Sequence, residues 1–356
     1  MSDAIFNNYT DLTYNWIKSQ NKAIKIFMSG TAKRIFNILK SSGIVNVNFE
    51  YVIPYDYSYV DECIFFANKG KIFDIIKNIL ISTDEKIIYF ANSTNFAIEV
   101  YNQFWNDSYF RCSKYSKNPI ARELNEKYMA CIIEYEKDLI TFDKRLLITT
   151  KALDNGINIK DKQIKHIICD VFDLESAQQC LGRKRVIDSE DRCKFYIRNY
   201  NKKEVGRFKG LLNSKIKPIR TLIRDKEEYM AYYGGNREHH SRYIFYNGEE
   251  LKYNELAYLE MLSESMDIDL VERKGYKQII LDRFASAFEK TSDLDEIKKM
   301  NKQDELVIYL ERILGKRLYK EQQKELVDKI NLTAGGKQHK AIAKLNLALT
   351  MLKFRY

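Results

Sequence analysis

The residues best equipped for chemistry in this sequence gather in its middle third. Gln179-Cys180-Leu181-Gly182-Arg183-Lys184-Arg185 places a glycine and two arginines at the start of a basic segment. A guanidinium is charged at every physiological pH, and its forked donors fit phosphate oxygens two at a time. Residues 181–226 hold fifteen Lys and Arg against five acids, an excess of ten that equals the net charge of the whole chain. Phe195, Tyr196, Tyr200 and Phe208 are interleaved with those cations, so the stretch suits a polyanion whose bases could stack on rings. Arg192, Lys194 and Arg198 are its candidate nucleic-acid contacts. Taken alone, Gly-Arg-Lys-Arg reads as a solvated basic turn, and the longer stretch as a charged helical face over ordinary core aromatics.

These residues need elements to position them. From about Tyr51 to Tyr200 the pattern alternates strand and helix, as in a parallel sheet wrapped by helices. Cys63–Phe66 is a possible strand, and Gly70 to Ile81 a helix with Ile72, Ile75, Ile76 and Ile79 along one face. Lys86–Phe90 reads as a strand that opens onto Ala91-Asn92-Ser93-Thr94, with a helix from Asn95 to Phe104. Arg122 to Tyr135 reads as helical. The apolar run Leu146-Leu147-Ile148-Thr149-Thr150 leads into the turn Asp154-Asn155-Gly156, and His166–Cys169 is another buried strand. Upstream, Tyr9 to Ser19 reads as a helix with Leu12 and Trp16 on one side. Ala23 to Met28 reads as a buried strand ending in Ser29-Gly30-Thr31-Ala32, and Lys33 to Lys40 as a helix. Downstream, Glu249–Glu264, Tyr276–Phe288, Asp304–Leu314, Lys320–Ile330 and Ala341–Leu352 carry helix-spaced apolar residues.

In their order and placement, four of these segments resemble motifs III, IV, V and VI of the superfamily 2 helicases, the ATP-driven nucleic-acid translocases. Ser29-Gly30-Thr31-Ala32 is similar to motif III, with glycine for the usual alanine. Asn92-Ser93-Thr94 is similar to motif IV, Thr149 through Asn158 to motif V, and Gln179 through Arg185 to motif VI. The resemblance covers roughly residues 24–186, about half the chain. It implies an α/β fold: a RecA-like second helicase lobe, a parallel sheet with flanking helices, at 46–204. A remnant of the first lobe would occupy 1–45, and a mostly α-helical accessory domain 205–356.

Roles follow from the resemblance residue by residue. Arg183 would be the arginine finger and Arg185 a second one, one residue earlier than in the commonest form, where Val186 stands. Gln179 opens the motif. Gly156, Asn158 (where many relatives carry Asp) and Gly182 would face the nucleotide. Asn92, Ser93, Thr94, Thr149 and Thr150 would touch nucleic acid, and Ser29 and Thr31 would couple the lobes.

The sequence also departs from that family. Gly335-Gly336-Lys337-Gln338 lacks the Ser or Thr and the earlier glycine of a phosphate-binding loop. Asp61-Glu62 and Asp84-Glu85 precede strand-like runs instead of ending them, which is wrong for the magnesium-holding motif II. ATP and magnesium are therefore expected only with a missing first lobe, and the chain alone is expected not to hydrolyse ATP. The expected function is that of the C-terminal portion of a helicase, beginning just after where motif II would fall. The alternative is a stand-alone, non-catalytic remnant of phage or mobile-element type that binds nucleic acid or a ribonucleoprotein, as an inhibitor for example. A basic structural protein with no nucleic-acid role is the third reading.

Single-stranded DNA or RNA is the expected partner, with a protein or ribonucleoprotein partner possible through the C-terminal domain. The six cysteines show no paired metal-ligand spacing and read as reduced core thiols, and His239-His240 as a polar loop; no metal site is expected. No apolar run is long enough for a membrane span and no signal peptide is recognisable, so the expectation is a cytoplasmic protein.

Overall fold

The computed structural model describes residues 10–26, 34, 36–37, 40, 51, 53, 56–113, 116–129, 131–136, 139–150, 158–235, 243–284, 288–313, 316–330, 333–334 and 337–338. The chain divides into two compact units, Met1–Thr291 and Ser292–Tyr356. The six parallel strands and every candidate site residue within the described range belong to the first.

Six strands of that unit pair in parallel: β1 (Val60–Phe66), β2 (Lys86–Ala91), β3 (Ser108–Arg111), β6 (Leu146–Thr150), β8 (Ile164–Asp170) and β9 (Cys193–Arg198). A short strand β12 begins at Lys290 and completes the order β12-β1-β9-β8-β2-β6-β3. The strands are near-continuous runs of Ile, Leu, Phe and Tyr because both faces are covered, as parallel sheets require. Four of the crossovers return the chain through a helix: α2 (Lys71–Ser82), α3 (Thr94–Gln103), α4 (Pro119–Lys127) and α5 (Leu174–Gly182). In α2 the buried residues are Ile72, Ile75, Ile76 and Ile79, the stripe read from the sequence. Arg145, at the start of β6, donates to the carbonyls of Leu80 and Thr83 and so satisfies the open end of α2.

The α/β class with a helix-flanked parallel sheet is as expected; several local readings are corrected. The 122–135 helix stops at Lys127, and Ile133–Glu136 is instead β4, paired with β5 (Leu139–Thr141) and, beyond it, β7 (Asn158–Ile159). Glu249 does not open a helix. Ile244–Asn247 (β10) and Glu250–Tyr253 (β11) form a hairpin turned at Gly248, whose φ of 65° is the left-handed conformation glycine tolerates. Upstream, α1 is Thr10–Ser19, but Tyr14 faces the core while Trp16 is 64% exposed. Ala23–Ile26 is not a strand; Ile24 and Ile26 are 93% and 79% exposed. Residues 34, 36, 37 and 40 are helical as read. Leu12's side chain, the remaining 27–50 residues of the motif III reading with Ser29 and Thr31, His239-His240 and the 341–352 helix lie outside the described residues.

The boundary expected after residue 204 is not where the chain divides. The helices α6 (Lys202–Arg224), α7 (Lys226–Tyr233), α8 (Glu255–Lys274) and α9 (Tyr276–Phe284) belong to the same unit as the sheet. Tyr276 drives this packing: its hydroxyl donates to the carbonyls of Val171 and Phe172 at 3.0 and 3.1 Å, and its ring stacks on Phe172. Lys209 ties α6 to α8 through Asp269 and Glu272. The second unit holds α10 (Leu294–Ile313) and α11 (Lys320–Ile330). No described helix is long and apolar enough to cross a membrane. Cys63, Cys112, Cys169, Cys180 and Cys193 are free and buried; burial pushes the Cys193 thiol up to about 12.

Gly206 and Gly210 interrupt α6 although a side chain there would meet nothing within 4 Å. Glycine inside a helix is about 1 kcal/mol worse than alanine. Gly206→Ala and Gly210→Ala should each raise the urea midpoint accordingly; a lowered midpoint would mean that these positions touch protein after all.

Candidate functional site

Parallel pairing puts the carboxyl ends of all six strands on one edge of the sheet: Phe66, Ala91, Arg111, Thr150, Asp170 and Arg198. In open α/β sheets, ligands bind outside this edge, where neighbouring strands send their connections in opposite directions. β2 is such a place, between β6 and β8. Asn92, Ser93 and Thr94 follow it directly, with Asn92 and Ser93 exposed and Thr94 half-buried. Ser93 is the N-cap residue of α3, yet its side chain makes no capping bond. The first turn of α3 therefore presents backbone N–H groups and the positive end of its dipole at the carboxyl edge, which suits a phosphate. Asn92 accepts a 3.4 Å bond from the Phe172 amide, tying this loop to the end of β8. Thr150 ends β6 beside Ala91 and is half-buried. Thr149 is fully buried and donates to the Thr150 carbonyl, so it positions the strand end and does not reach solvent.

The motif VI residues lie at the opposite edge, because α5 runs back from the end of β8. Gln179 and Gly182 fall in its last turn and Arg183 at its C-cap. The chain then pairs with β7. The Ile159 amide donates to the Arg183 carbonyl at 2.8 Å, and the Arg185 amide to the Ile159 carbonyl at 2.8 Å. Arg185 also donates from Nε to the Asn158 side chain at 2.7 Å. Arg183, Arg185 and Asn158 are thus brought together, while Gly156 lies outside the described residues. Arg183 is half-buried and Arg185 exposed. Lys184, between them, has no accessible side chain and pairs with the equally buried Asp191 at 2.7 Å. The basic run is therefore a half-buried arginine and an exposed one on either side of an internal ion pair.

The downstream contacts need correction. Phe195, Tyr196 and Tyr200 are buried, and Phe208 stacks on Phe172 at 4.1 Å, so these rings fill the core and cannot receive bases. Arg198 is 8% exposed; it donates to Asp170 at 2.9 Å and also pairs with Glu204. Tyr200 donates to the same Asp170 at 3.0 Å, and burial pushes this carboxyl up against the pull of Arg198. Arg192 pairs with Asp61 and Glu289. Lys194 alone of the three named cations is exposed without an ion pair among the described residues. The sequence reading missed Asp170 as the hub of this network. It also missed Arg34, which bonds Asp173 and Asp267 at 2.9 Å and, through its amide, Glu175. Asp173 is the N-cap of α5, bonding the Ser176 amide, a pattern legible in Asp173-Leu174-Glu175-Ser176. No cluster of metal-binding side chains occurs among the described residues.

No protein-family description matches this sequence, and no curated protein does. Solved structures similar to the chain include Dbp5 L327V of S. cerevisiae bound to RNA and ADP BeF3, at 13% identity and a TM-score of 0.33, over 47% of this chain and 42% of that one. The yeast DEAD-box splicing factor Prp28 is similar at 13% identity and a TM-score of 0.31, over 60% of this chain and 47% of that one. The chain thus spans less than half the length of either protein. Its functional reading rests on its own geometry.

Removing one partner of a buried ion pair costs about 3–5 kcal/mol, while an exposed arginine away from the core costs within about 0.5 kcal/mol. Lys184→Met should therefore lower the denaturation midpoint steeply and Arg185→Met leave it in place; equal effects would contradict the inward and outward assignment. A pH dependence follows from Asp173. Burial alone would raise its pKa, but the Arg34 charge and the Ser176 amide outweigh it and hold the carboxyl at about 2. Its stabilisation is complete above the ordinary aspartate value of ~3.9 and is lost as pH falls toward that lower value. Arg34→Met should therefore unfold at a higher pH than wild type during acid titration, read by circular dichroism; coincident curves would remove Arg34 from that role.

Proposed function

We propose that this chain supplies the second, RecA-like lobe of an ATP-dependent superfamily 2 helicase or translocase. It holds a nucleic-acid strand at the carboxyl edge of its sheet. At the opposite edge it offers Arg183, with Arg185 beside it, to the phosphoryl group held by a first lobe. The observation that carries this reading is the meeting of two segments distant in sequence. Asn158 and Ile159 bond Arg183 and Arg185 through both backbone and side chains.

The same two segments begin at the other edge. One leaves Thr150 at the end of β6 and reappears as β7. The other leaves Asp170 at the end of β8 and returns through α5. Each therefore joins the edge suited to a strand to the edge suited to a nucleotide.

The residues present fit half of an ATP site. Two guanidiniums at the end of α5 can stabilise charge on a transferring phosphoryl group, and Asn158 holds Arg185 in place. When ATP and magnesium are bound between two lobes, they supply the phosphoryl group and its charge neutralisation; the phosphate cradle is assigned to the other lobe.

Two measurements test this. Single-stranded oligonucleotides should bind the full chain with an affinity that falls steeply with salt, read by fluorescence anisotropy. Ser93→Asp should weaken binding by about tenfold by repelling phosphate, though aspartate is as good an N-cap as serine. Unchanged affinity in that variant would remove the carboxyl edge as the contact. Joined to a first lobe of the family, the chain should show nucleic-acid-stimulated ATPase activity that Arg183→Ala lowers by about 10³-fold or more. An undiminished rate would end the finger assignment.

A further inference from the structure

The excess positive charge of residues 181–226 is spread unevenly once the ion pairs are known. Lys184, Arg192, Arg198, Lys209 and Arg224 are held by carboxylates. Lys202, Lys203, Arg207, Lys215, Lys217 and Arg220 are exposed and pair with no carboxylate among the described residues. All six lie on α6. The buried side of this helix carries Val205, Leu212, Ile216 and Ile219. At 100° per residue, Lys203, Arg207 and Lys217 fall away from that apolar stripe, and Arg220 stands at its flank. Between the two cationic pairs this face holds Gly210, Asn213 and Ser214, while exposed Leu211 and Lys215 lie on the other flank of the helix. The single acid of α6, Glu204, is turned back to the capping box and to Arg198.

We infer that this solvent face of α6 is a docking surface for a single nucleic-acid strand, an extension of the carboxyl-edge contact. The inference rests on the proposed strand-binding reading and adds a second, separate surface to it. Charge complementarity commits it to a polyanion: four unpaired cations over about 25 Å of helix, with no exposed carboxylate among them. Position favours nucleic acid over an acidic protein. α6 begins four residues after β9 reaches the carboxyl edge, with Asn201 as its N-cap, so a strand leaving Ser93 and Thr150 finds Lys203 and Arg207 next. The middle of the face is also suited to close approach. Gly206 and Gly210 weaken the helix, and the protein packs nothing against them, so a sugar–phosphate backbone can lie close to the helix between the two cationic pairs.

The test uses the full chain, a fluorescein-labelled single-stranded 20-mer as RNA and as DNA, and a series of salt concentrations. In K203Q/R207Q/K217Q/R220Q, Kd should rise at least about tenfold, and the plot of log affinity against log salt should become shallower by about 0.7 for each lost phosphate contact. The charge-keeping variant Lys203→Arg with Lys217→Arg should bind as wild type does. All four side chains are exposed, so the denaturation midpoint should not move, and a loss of binding is then a loss of contact. A quadruple variant with wild-type affinity and salt slope overturns the α6 surface; if Ser93→Asp still loses binding, the carboxyl-edge reading stands without it. Wild type that binds no oligonucleotide overturns both. Polyglutamate of equal charge competing as well as the oligonucleotide overturns the choice of partner and assigns the face to an acidic protein.

Discussion

Parallel pairing is the constraint on which the rest of this structure depends. Neighbouring parallel strands cannot be joined by a tight turn, so each connection must cross the sheet and return, most often as a helix. Two consequences follow for this chain. Helices cover both faces, which demands the unbroken apolar strands Lys86–Ala91 and Ile164–Asp170. The six parallel strands also end on the same edge, so the chain leaves β2, β6, β8 and β9 there without any contact arranging it. The division of labour between the edges is thus a property of the ladder: phosphate-suited loops on one, guanidiniums returned by α5 on the other.

Charge inside the protein fixes how those edges are held. Asp170 with Arg198 and Tyr200 joins the ends of β8 and β9, Lys184 with Asp191 anchors the chain just past α5, and Arg34 pins the start of α5 to α8. Buried pairs of this kind contribute little net stability over apolar side chains, but they penalise any register that separates the partners. Their second effect is subtractive. They withdraw Lys184 and Arg198 from solvent, while carboxylates nearer the surface neutralise Arg192, Lys209 and Arg224, so the unpaired cations are concentrated on α6 and a plain excess of charge gains a direction.

Much of this was legible in the sequence, and the failures have physical causes. The stripe Ile72, Ile75, Ile76 and Ile79 and the strand Lys86–Phe90 were readable because burial imposes a period that survives in the residues themselves. Residues 133–135 were read as helix because their strand state comes from pairing with Leu139–Thr141, a contact no local pattern records. The β10–β11 hairpin carried its own signal, Asn247-Gly248 before an alternating run, which the helix-spaced residues that follow outweighed. Arg183 and Asn158 were singled out because the segments that hold them resemble motifs. The inward fate of Lys184, Arg198 and the aromatics was hidden, because the covering of both sheet faces and the carboxylates Asp191 and Asp170 decide it and composition does not. Phe195 and Tyr196 sit in β9 with 0% and 7% exposure, where a base cannot stack.

The most direct test of the two-edge account is to locate a bound strand on the protein. A single-stranded oligonucleotide carrying photoreactive bases would be crosslinked to the full chain at low salt, and the attached peptides identified by mass spectrometry. The account expects crosslinks in the segments around Asn92–Thr94 and Thr150 and along α6, with none in the segment from Gln179 to Arg185. Crosslinks concentrated on that last segment, with the carboxyl edge unmarked, would contradict it.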